Sequence, residues 1–155
     1  MATIKAAVAA GIIATVLGFV LALLSLSKNR LAKGLAIAWV ELFRGLPLLL
    51  LILGVYFIDL ALASGLGAFW SVVVALVLYN SAVLSEIFRA GVRSLDRGQT
   101  EAAQSVGMSY WQMMFIVVLP QAVRRMIPAI VAQMATLTKD VSLSLIHISE
   151  PTRPY

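Results

Sequence analysis

A long stretch without charge constrains this chain more than any other feature of its sequence. Residues 6–27 lie between Lys5 and Lys28 and contain no charged side chain. A helix needs about 20 apolar residues to cross the hydrocarbon core of a bilayer, which is about 30 Å thick. The whole chain is 61% hydrophobic and 12% charged, whereas soluble domains carry about 25% charged residues. The sequence therefore predicts a membrane protein, with residues 6–27 as its first span.

Three further apolar stretches predict additional spans, at residues 47–64, 67–86 and 126–143. Pro47 suits a first helical turn, because its missing N–H group would have no partner there. Asp59 falls at the far end of its stretch, where we expect it to be solvated. Pro128 lies near the start of the last span or kinks it. The predicted fold class is all-α, a polytopic membrane helix bundle.

Basic residues are concentrated in two of the connections between these stretches, at residues 28–46 and 86–125. They are Lys28, Arg30, Lys33, Arg44, Arg89, Arg93, Arg97, Arg124 and Arg125. The short connection around residues 59–67 carries no Lys or Arg. Because cytoplasmic loops carry the excess of Lys and Arg, the sequence predicts that 28–46 and 86–125 are cytoplasmic and that the N-terminus is outside.

Several classes of chemistry find no support in the residues present. The chain has no Cys and a single His, His147. A disulfide framework and a thiolate metal site are therefore excluded, and one His does not build a metal cluster. No Gly-x-x-x-x-Gly-Lys-Ser/Thr sequence occurs, so a phosphate-cradling loop would have to come from another polypeptide. An integral membrane enzyme would need a nucleophile with a base or a set of metal ligands, and neither is evident.

A polar segment at residues 98–120 interrupts the apolar pattern and reads as two short helices around a turn. Residues 99–106 favour a helix, and Gly107 suits the left-handed residue that ends one. Ser109 with Gln112 predicts a capping box on the second helix, and Met108 with Met113 a hydrophobic staple. Pro120 is expected to limit that second helix from behind.

The same segment presents small residues that would let another surface approach closely. Ala102 and Ala103 leave a low profile, and Glu101 adds a charge that would fix the register of a contact. The segment is therefore either a docking element for a partner or an ordinary amphipathic connection. Its local chemistry alone leaves both interpretations open.

Several motifs occur in the order known from one family. Glu101-Ala102-Ala103 is followed after three residues by Gly107, then by Val117 and Leu119-Pro120. Further motifs are Phe43-Arg44-Gly45-Leu46-Pro47, Tyr79, Glu86-Ile87-Phe88-Arg89, Gly98-Gln99, Gly107-Met108-Ser109-Tyr110-Trp111, Leu119-Pro120-Gln121-Ala122 and Lys139-Asp140. Together they resemble the EAA-motif permease subunits of ATP-binding-cassette (ABC) importers, in the polar amino-acid branch, over residues 3–143. Val117, Leu46 and Val141 depart from the usual Ile, Thr and Thr.

The resemblance implies a membrane-spanning subunit of an ATP-driven amino-acid importer with the MetI-like fold of type I importers. About four of five spans would be present, in a bacterial inner membrane. Residues 98–120 would form the coupling segment that docks on a separate ATPase subunit, with Glu101, Ala102, Ala103, Gly107 and Pro120 as its contact residues. The partner would use ATP and Mg²⁺, and this chain would bind no cofactor.

The resemblance also implies the other partners. A second permease copy or a paralogue would enclose the path, an extracytoplasmic amino-acid-binding protein would deliver the substrate, and no nucleic acid is expected. The run Tyr79-Asn80-Ser81-Ala82-Val83 is most similar to glutamate- or glutamine-type permeases.

Polar side chains within the predicted spans are candidates for a translocation path. Tyr79, Asn80 and Glu86 lie in the third span, and Lys139 and Asp140 in the fourth. Polar groups in hydrocarbon usually face the bundle interior or a water path. They either line such a path or hydrogen-bond to neighbouring helices, which we favour for Tyr79 and Asn80. Glu86 is expected mainly to stabilise its helix end.

An ion-gradient-driven secondary transporter is the alternative function. Such a protein would show inverted repeats around a midplane site, and no internal repeat is visible. Residues 144–155 contain Pro151, Pro154 and mixed charges, which do not continue a membrane helix. They resemble translated adapter sequence, and we expect them to be a non-native tail that contributes nothing to packing. Family members also usually begin earlier and continue into a fifth span.

Overall fold

The computed structural model describes the backbone of residues 2–149 and the side chains of residues 7–142 except that of Arg97. The helices are α1 (Ala2–Leu26), α2 (Arg30–Gly45), α3 (Leu48–Leu62), α4 (Gly67–Arg93), α5 (Arg97–Ser105), α6 (Tyr110–Gln112) and α7 (Leu119–Ser149), with a π-helix at Met113–Val118 between α6 and α7. No strand occurs in the described part of the chain, and the predicted all-α helix bundle is confirmed.

The close packing of α1 against α4 forms the centre of the bundle. Gly18 of α1 lies so near α4 that an added Cβ would stand 2.9 Å from the backbone oxygen of Ser81 and 2.9 Å from Cβ of Leu84. Phe19 and Phe88 meet edge to face across the same interface, with ring centroids 5.6 Å apart. Because small residues let membrane helices approach closely, Gly18 sets the distance between these two helices.

Three helical stretches are long and apolar enough to cross a membrane: Ala7–Leu26, Gly67–Arg93 and Tyr110–Ser142. Helix α3 has 15 residues, about 22 Å at 1.5 Å per residue, which is short of a bilayer core. It passes the same length test only together with α2, from which it is bent by 102°. The segment predicted as the second span is thus one arm of a broken helix pair.

Asp59 is not solvated as expected; it is buried and ties α3 to α4. Its carboxylate accepts a hydrogen bond from the Ser64 hydroxyl. It also accepts 3.0 Å bonds from the backbone N–H groups of Leu66 and Gly67. A carboxylate at this position satisfies N–H groups at the start of α4 that have no partner within the helix. The residue is therefore structural.

The helix after the polar turn does not end at Pro120 as predicted. It runs from Tyr110 through the π-helix into α7 and continues past both Pro120 and Pro128. In an α-helix a proline ring meets the carbonyl four residues earlier. Here the N–H of Leu119 donates instead to the carbonyl of Met114, five residues back. The wider π turn thus carries the backbone past Pro120 without a break.

The backbone of α7 is helical through Ser149, and so includes the first residues of the predicted tail. The side chains from residue 143 onward and the backbone of residues 150–155 lie outside the described residues. The expectation that the tail contributes nothing to packing therefore stays a prediction.

Candidate functional site

The first helix of the coupling segment ends in a complete Schellman motif. Gly107 has φ +79°, the left-handed conformation predicted for it. The N–H of Met108 donates to the carbonyl of Ala103 at 3.2 Å, and that of Gly107 to Gln104 at 2.9 Å. These are the two bonds that define the motif. At the other end of α5, the Asp96 side chain accepts from the N–H of Gly98 at 3.1 Å.

The second helix begins with the predicted capping box. The N–H of Gln112 donates to the Ser109 hydroxyl at 3.4 Å, and the N–H of Ser109 donates to the Gln112 side chain at 2.9 Å. Met113 is buried, and Met108 packs against the same cluster. Caps on both sides of Gly107 hold the turn between the helices in one conformation.

The structure separates the two alanines that were predicted to face a partner. Glu101, Ala102, Gly107 and Pro120 are exposed. Ala103 is only 6% exposed and belongs to the buried cluster formed with α1, α4 and α7. The prediction that Ala103 offers its surface for docking is wrong for this reason: its methyl group faces inward, one residue further round the helix than Ala102.

One long-range hydrogen bond attaches the coupling segment to the end of α1, and another joins α7 to the residue that follows α4. The Tyr110 hydroxyl donates to the carbonyl of Leu26, the last residue of α1, at 3.2 Å. Such a carbonyl has no partner within its own helix. The ammonium of Lys28 lies 5.8 Å from the centre of the Tyr110 ring, within cation–π range. Arg125 donates to the carbonyl of Ser94, just beyond α4, at 2.6 Å.

Sequence reasoning did not single out Tyr110 or Arg125 for these attachments. Their partners lie 84 and 31 residues away along the chain, and no short spacing signals such contacts. Tyr110 did appear within a family motif, which was the only available signal.

Asn80 hydrogen-bonds to a neighbouring helix, as favoured from the sequence. It is fully buried in α4, and its amide nitrogen donates to the carbonyl of Leu76 at 2.9 Å. Its amide oxygen accepts from the side chain of Gln133 in α7 at 2.8 Å. Tyr79, beside it, is half-buried against an apolar cluster that includes Ile52. Asn80 thus joins α4 to α7, and its place on a translocation path stays a prediction.

We expect Gln133→Leu to destabilise the bundle by about 1 kcal/mol, because it leaves a buried amide oxygen of Asn80 without its donor. The double variant Asn80→Leu/Gln133→Leu removes both partners and should recover part of that loss. Thermal unfolding of the detergent-solubilised protein measures the stability of each single variant and of the double variant. If the loss in the double variant equals the sum of the losses in Gln133→Leu and in Asn80→Leu alone, the interhelical bond contributes nothing.

Glu86 lies in a charged cluster between α2 and α4. It pairs with Arg89 at 2.7 Å and with Arg44 of α2 at 3.5 Å. The three side chains line a cavity of about 340 Å³ together with Glu41 and Val40. Glu86 was expected to stabilise the end of its helix, and that is wrong, because α4 continues to Arg93. Its ion pair with Arg44 instead links α4 to α2.

The remaining candidates lie on α7. Lys139 is exposed and lines a shallow recess with Ala135, Thr138 and Ser142. Asp140 is half-buried next to it. Among the described residues no group of three His, Asp or Glu side chains is placed to hold a metal ion.

Long apolar helices joined to a rigidly capped helix–turn–helix unit define a multi-pass membrane protein. The family model described as "Binding-protein-dependent transport system inner membrane component" matches residues 14–152. The chain belongs to this family.

Relatives with curated names are similar over most of the chain. It is 42% identical over 129 residues to "Probable glutamine ABC transporter permease protein GlnP" of Bacillus subtilis (strain 168), covering 83% of this chain and 59% of that protein. It is 42% identical over 142 residues to "Arginine transport system permease protein ArtQ" of the same organism, covering 91% of this chain and 65% of that protein. The chain thus spans less than two thirds of these relatives.

A solved structure supports the same placement. "Crystal structure of an amino acid ABC transporter with histidines" superposes with a TM-score of 0.86 at 33% identity, covering 93% of this chain and 67% of that one. The predicted transporter fold is confirmed by this match.

Proposed function

We propose that the chain is the membrane-spanning permease subunit of an ATP-driven amino-acid importer, and that residues 98–120 couple it to a separate ATPase subunit. The capped turn at Gly107 carries this proposal, because a rigid unit fastened to two spans suits the transmission of motion. The named relatives, which are amino-acid permeases, support the substrate class. Polar amino acids are the proposed cargo, with glutamate or glutamine first.

The proposed docking surface is the exposed side of α5 and the turn after it. Glu101 and Ala102 lie on this side, and Gly107 has open space around it. ATP and Mg²⁺ would be used by the partner subunit. A second permease copy or paralogue would complete the path, and an extracytoplasmic binding protein would supply the amino acid.

Reconstitution tests this function. A full-length version of the protein is placed in vesicles with its ATPase and binding protein, and uptake of labelled glutamine, glutamate and arginine is measured. We expect uptake that requires enclosed ATP and survives collapse of the ion gradients. Uptake that needs an ion gradient but no ATPase would instead support a secondary transporter.

The two alanines of the coupling segment provide a matched pair. We expect Ala102→Asp to leave folding intact and to weaken ATPase binding, because Ala102 is exposed on the proposed docking side. Ala103→Asp should reduce the yield of folded protein, because it buries an unpaired carboxylate. Co-purification with the ATPase and size-exclusion profiles separate the two effects. Equal behaviour of both variants would contradict this assignment of faces.

The proposed orientation places the coupling segment in the cytoplasm and the α3–α4 connection outside. The chain has no Cys, so Leu66→Cys and Val106→Cys each report one exposed site. We expect an impermeant thiol reagent to label Leu66→Cys on intact cells and Val106→Cys only after permeabilisation. Labelling of Val106→Cys on intact cells would show that the proposed orientation is wrong.

A further inference from the structure

Helix α2 has three distinct faces, which an ordinary two-sided amphipathic helix lacks. At 100° per residue, Leu31, Leu35, Ala38 and Leu42 fall within about 60° of one another. We call these four residues the leucine stripe. Leu31, Leu35 and Leu42 are 72%, 66% and 57% exposed, and Ala38 is exposed as well. The stripe is therefore an apolar surface that none of the side chains described by the structure covers.

A second face of α2 packs against the bundle. Ala36 and Val40 are buried, and the Trp39 indole donates to the Ser81 hydroxyl of α4 at 3.4 Å. Ala36 and Val40 point away from the leucine stripe, and Trp39 lies between them and Leu35 on the helix. The exposed leucines are thus not core residues displaced by a poor fit.

The third face is charged and mainly basic. Arg30, Lys33, Glu41 and Arg44 fall within about 80° of one another on the helix, and Lys28 precedes the helix. Arg44 pairs with Glu86. Among the residues the structure describes, neither Arg30 nor Lys33 makes an ion pair. Arg30 and Lys33, beside an exposed apolar stripe, are therefore available to bind anionic groups outside the described residues.

The direction of α2 fits the boundary of a membrane. The axes of α2 and α3 differ by 102°, so α2 runs nearly parallel to the bilayer surface if α3 stands across it. Its contacts with Ser81 and Glu86 lie along the second half of α4. This half of α4 leads into the basic segment 86–125, which the positive-inside rule places on the headgroup side.

We propose that α2 is an interfacial helix, with its leucine stripe inserted among acyl chains and Arg30 and Lys33 bound to anionic phospholipid headgroups. An apolar stripe flanked by Lys and Arg is the arrangement that binds such a surface. Basic residues near an anionic leaflet each contribute about fivefold to binding. The inference requires a membrane protein and is independent of whether the chain transports amino acids.

Spin labels on single cysteines of the full chain test the stripe. Leu35→Cys is labelled in vesicles containing phosphatidylglycerol, and collisions with oxygen and with a water-soluble nickel chelate are measured. Ile12→Cys in α1 serves as the apolar reference and Val106→Cys as the exposed polar-segment reference, since these side chains are 62% and 71% exposed. We expect the label at position 35 to be accessible to oxygen and protected from nickel, as at position 12.

Each other outcome overturns the proposal. Accessibility to nickel equal to that at position 106 would place the stripe in water. Protection from both reagents would show that another protein surface, such as a second copy of this chain, covers it. Leu42→Cys repeats the measurement at the other end of the stripe if Leu35→Cys fails to fold.

The charges are tested separately. We expect the double variant Arg30→Gln/Lys33→Gln to shift the label at position 35 toward water in phosphatidylglycerol vesicles. The parent chain should show the same shift in pure phosphatidylcholine. The variant should respond less than the parent to the change of lipid. If the label at position 35 lies at the same depth in both chains and in both lipids, Arg30 and Lys33 do not bind anionic headgroups, and that part of the proposal is wrong.

Discussion

Gly107→Val is expected to reduce ATPase coupling 5- to 30-fold while leaving the membrane spans folded. A β-branched residue is strongly disfavoured at φ +79°, and a left-handed residue with a Cβ costs about 1–2 kcal/mol. The turn would leave the conformation fixed by the Schellman motif and the capping box. A cost of this size depopulates the docking geometry by the same factor of about 5–30. Substrate-stimulated ATP hydrolysis in vesicles measures the loss.

Gly107→Asn is the matched control. Asn visits the left-handed region at low cost, and the space around Gly107 is open. We expect this variant to bind the ATPase nearly as well as the parent. If Gly107→Val couples normally, the turn does not determine docking, and the coupling segment is only a connection.

Gly18→Val is expected to have the largest effect on stability. Its side chain would overlap the backbone oxygen of Ser81, which has no rotamer by which to move away. Overpacking in a closely packed core costs about 1–3 kcal/mol, and here it separates α1 from α4. We expect a lower unfolding temperature and a smaller yield of monodisperse protein in detergent.

Gly54→Val in α3 is the control for Gly18→Val. Nothing lies within 4 Å of a Cβ at Gly54, so the same change in an apolar helix should be tolerated. Equal losses at the two positions would show that the effect comes from a valine in a helix and not from the α1–α4 contact.

The features of the coupling segment that were predicted correctly depend only on residues close together in the sequence. The left-handed Gly107 and the Ser109–Gln112 capping box need only residues within a few positions of each other. The all-α fold followed in the same way from continuous apolar stretches. Such features carry their signal in short spacings.

The features that were missed depend on what the chain packs against. Ala102 and Ala103 have the same side chain, and only the position of α1 and α7 makes one exposed and the other buried. Asp59 was expected in water because the loop that folds over it has no marked sequence. Pro120 was expected to end a helix, since a single proline does not reveal a π turn before it. The pairing of Asn80 with Gln133 likewise required the arrangement of α4 and α7.

Because the helix runs without a break from Tyr110 into α7, the directions in which its side chains point are fixed relative to one another along its whole length. At 100° per residue, one inserted residue between Tyr110 and Met126 would turn everything beyond it by more than a quarter of a circle. Gln133 would then face away from Asn80 even though every local cap remained intact. The number of residues between the coupling segment and the bundle is therefore as strictly defined as their chemistry: even a whole inserted turn, which restores the direction of Gln133, would move it about 5 Å along the helix axis, away from Asn80.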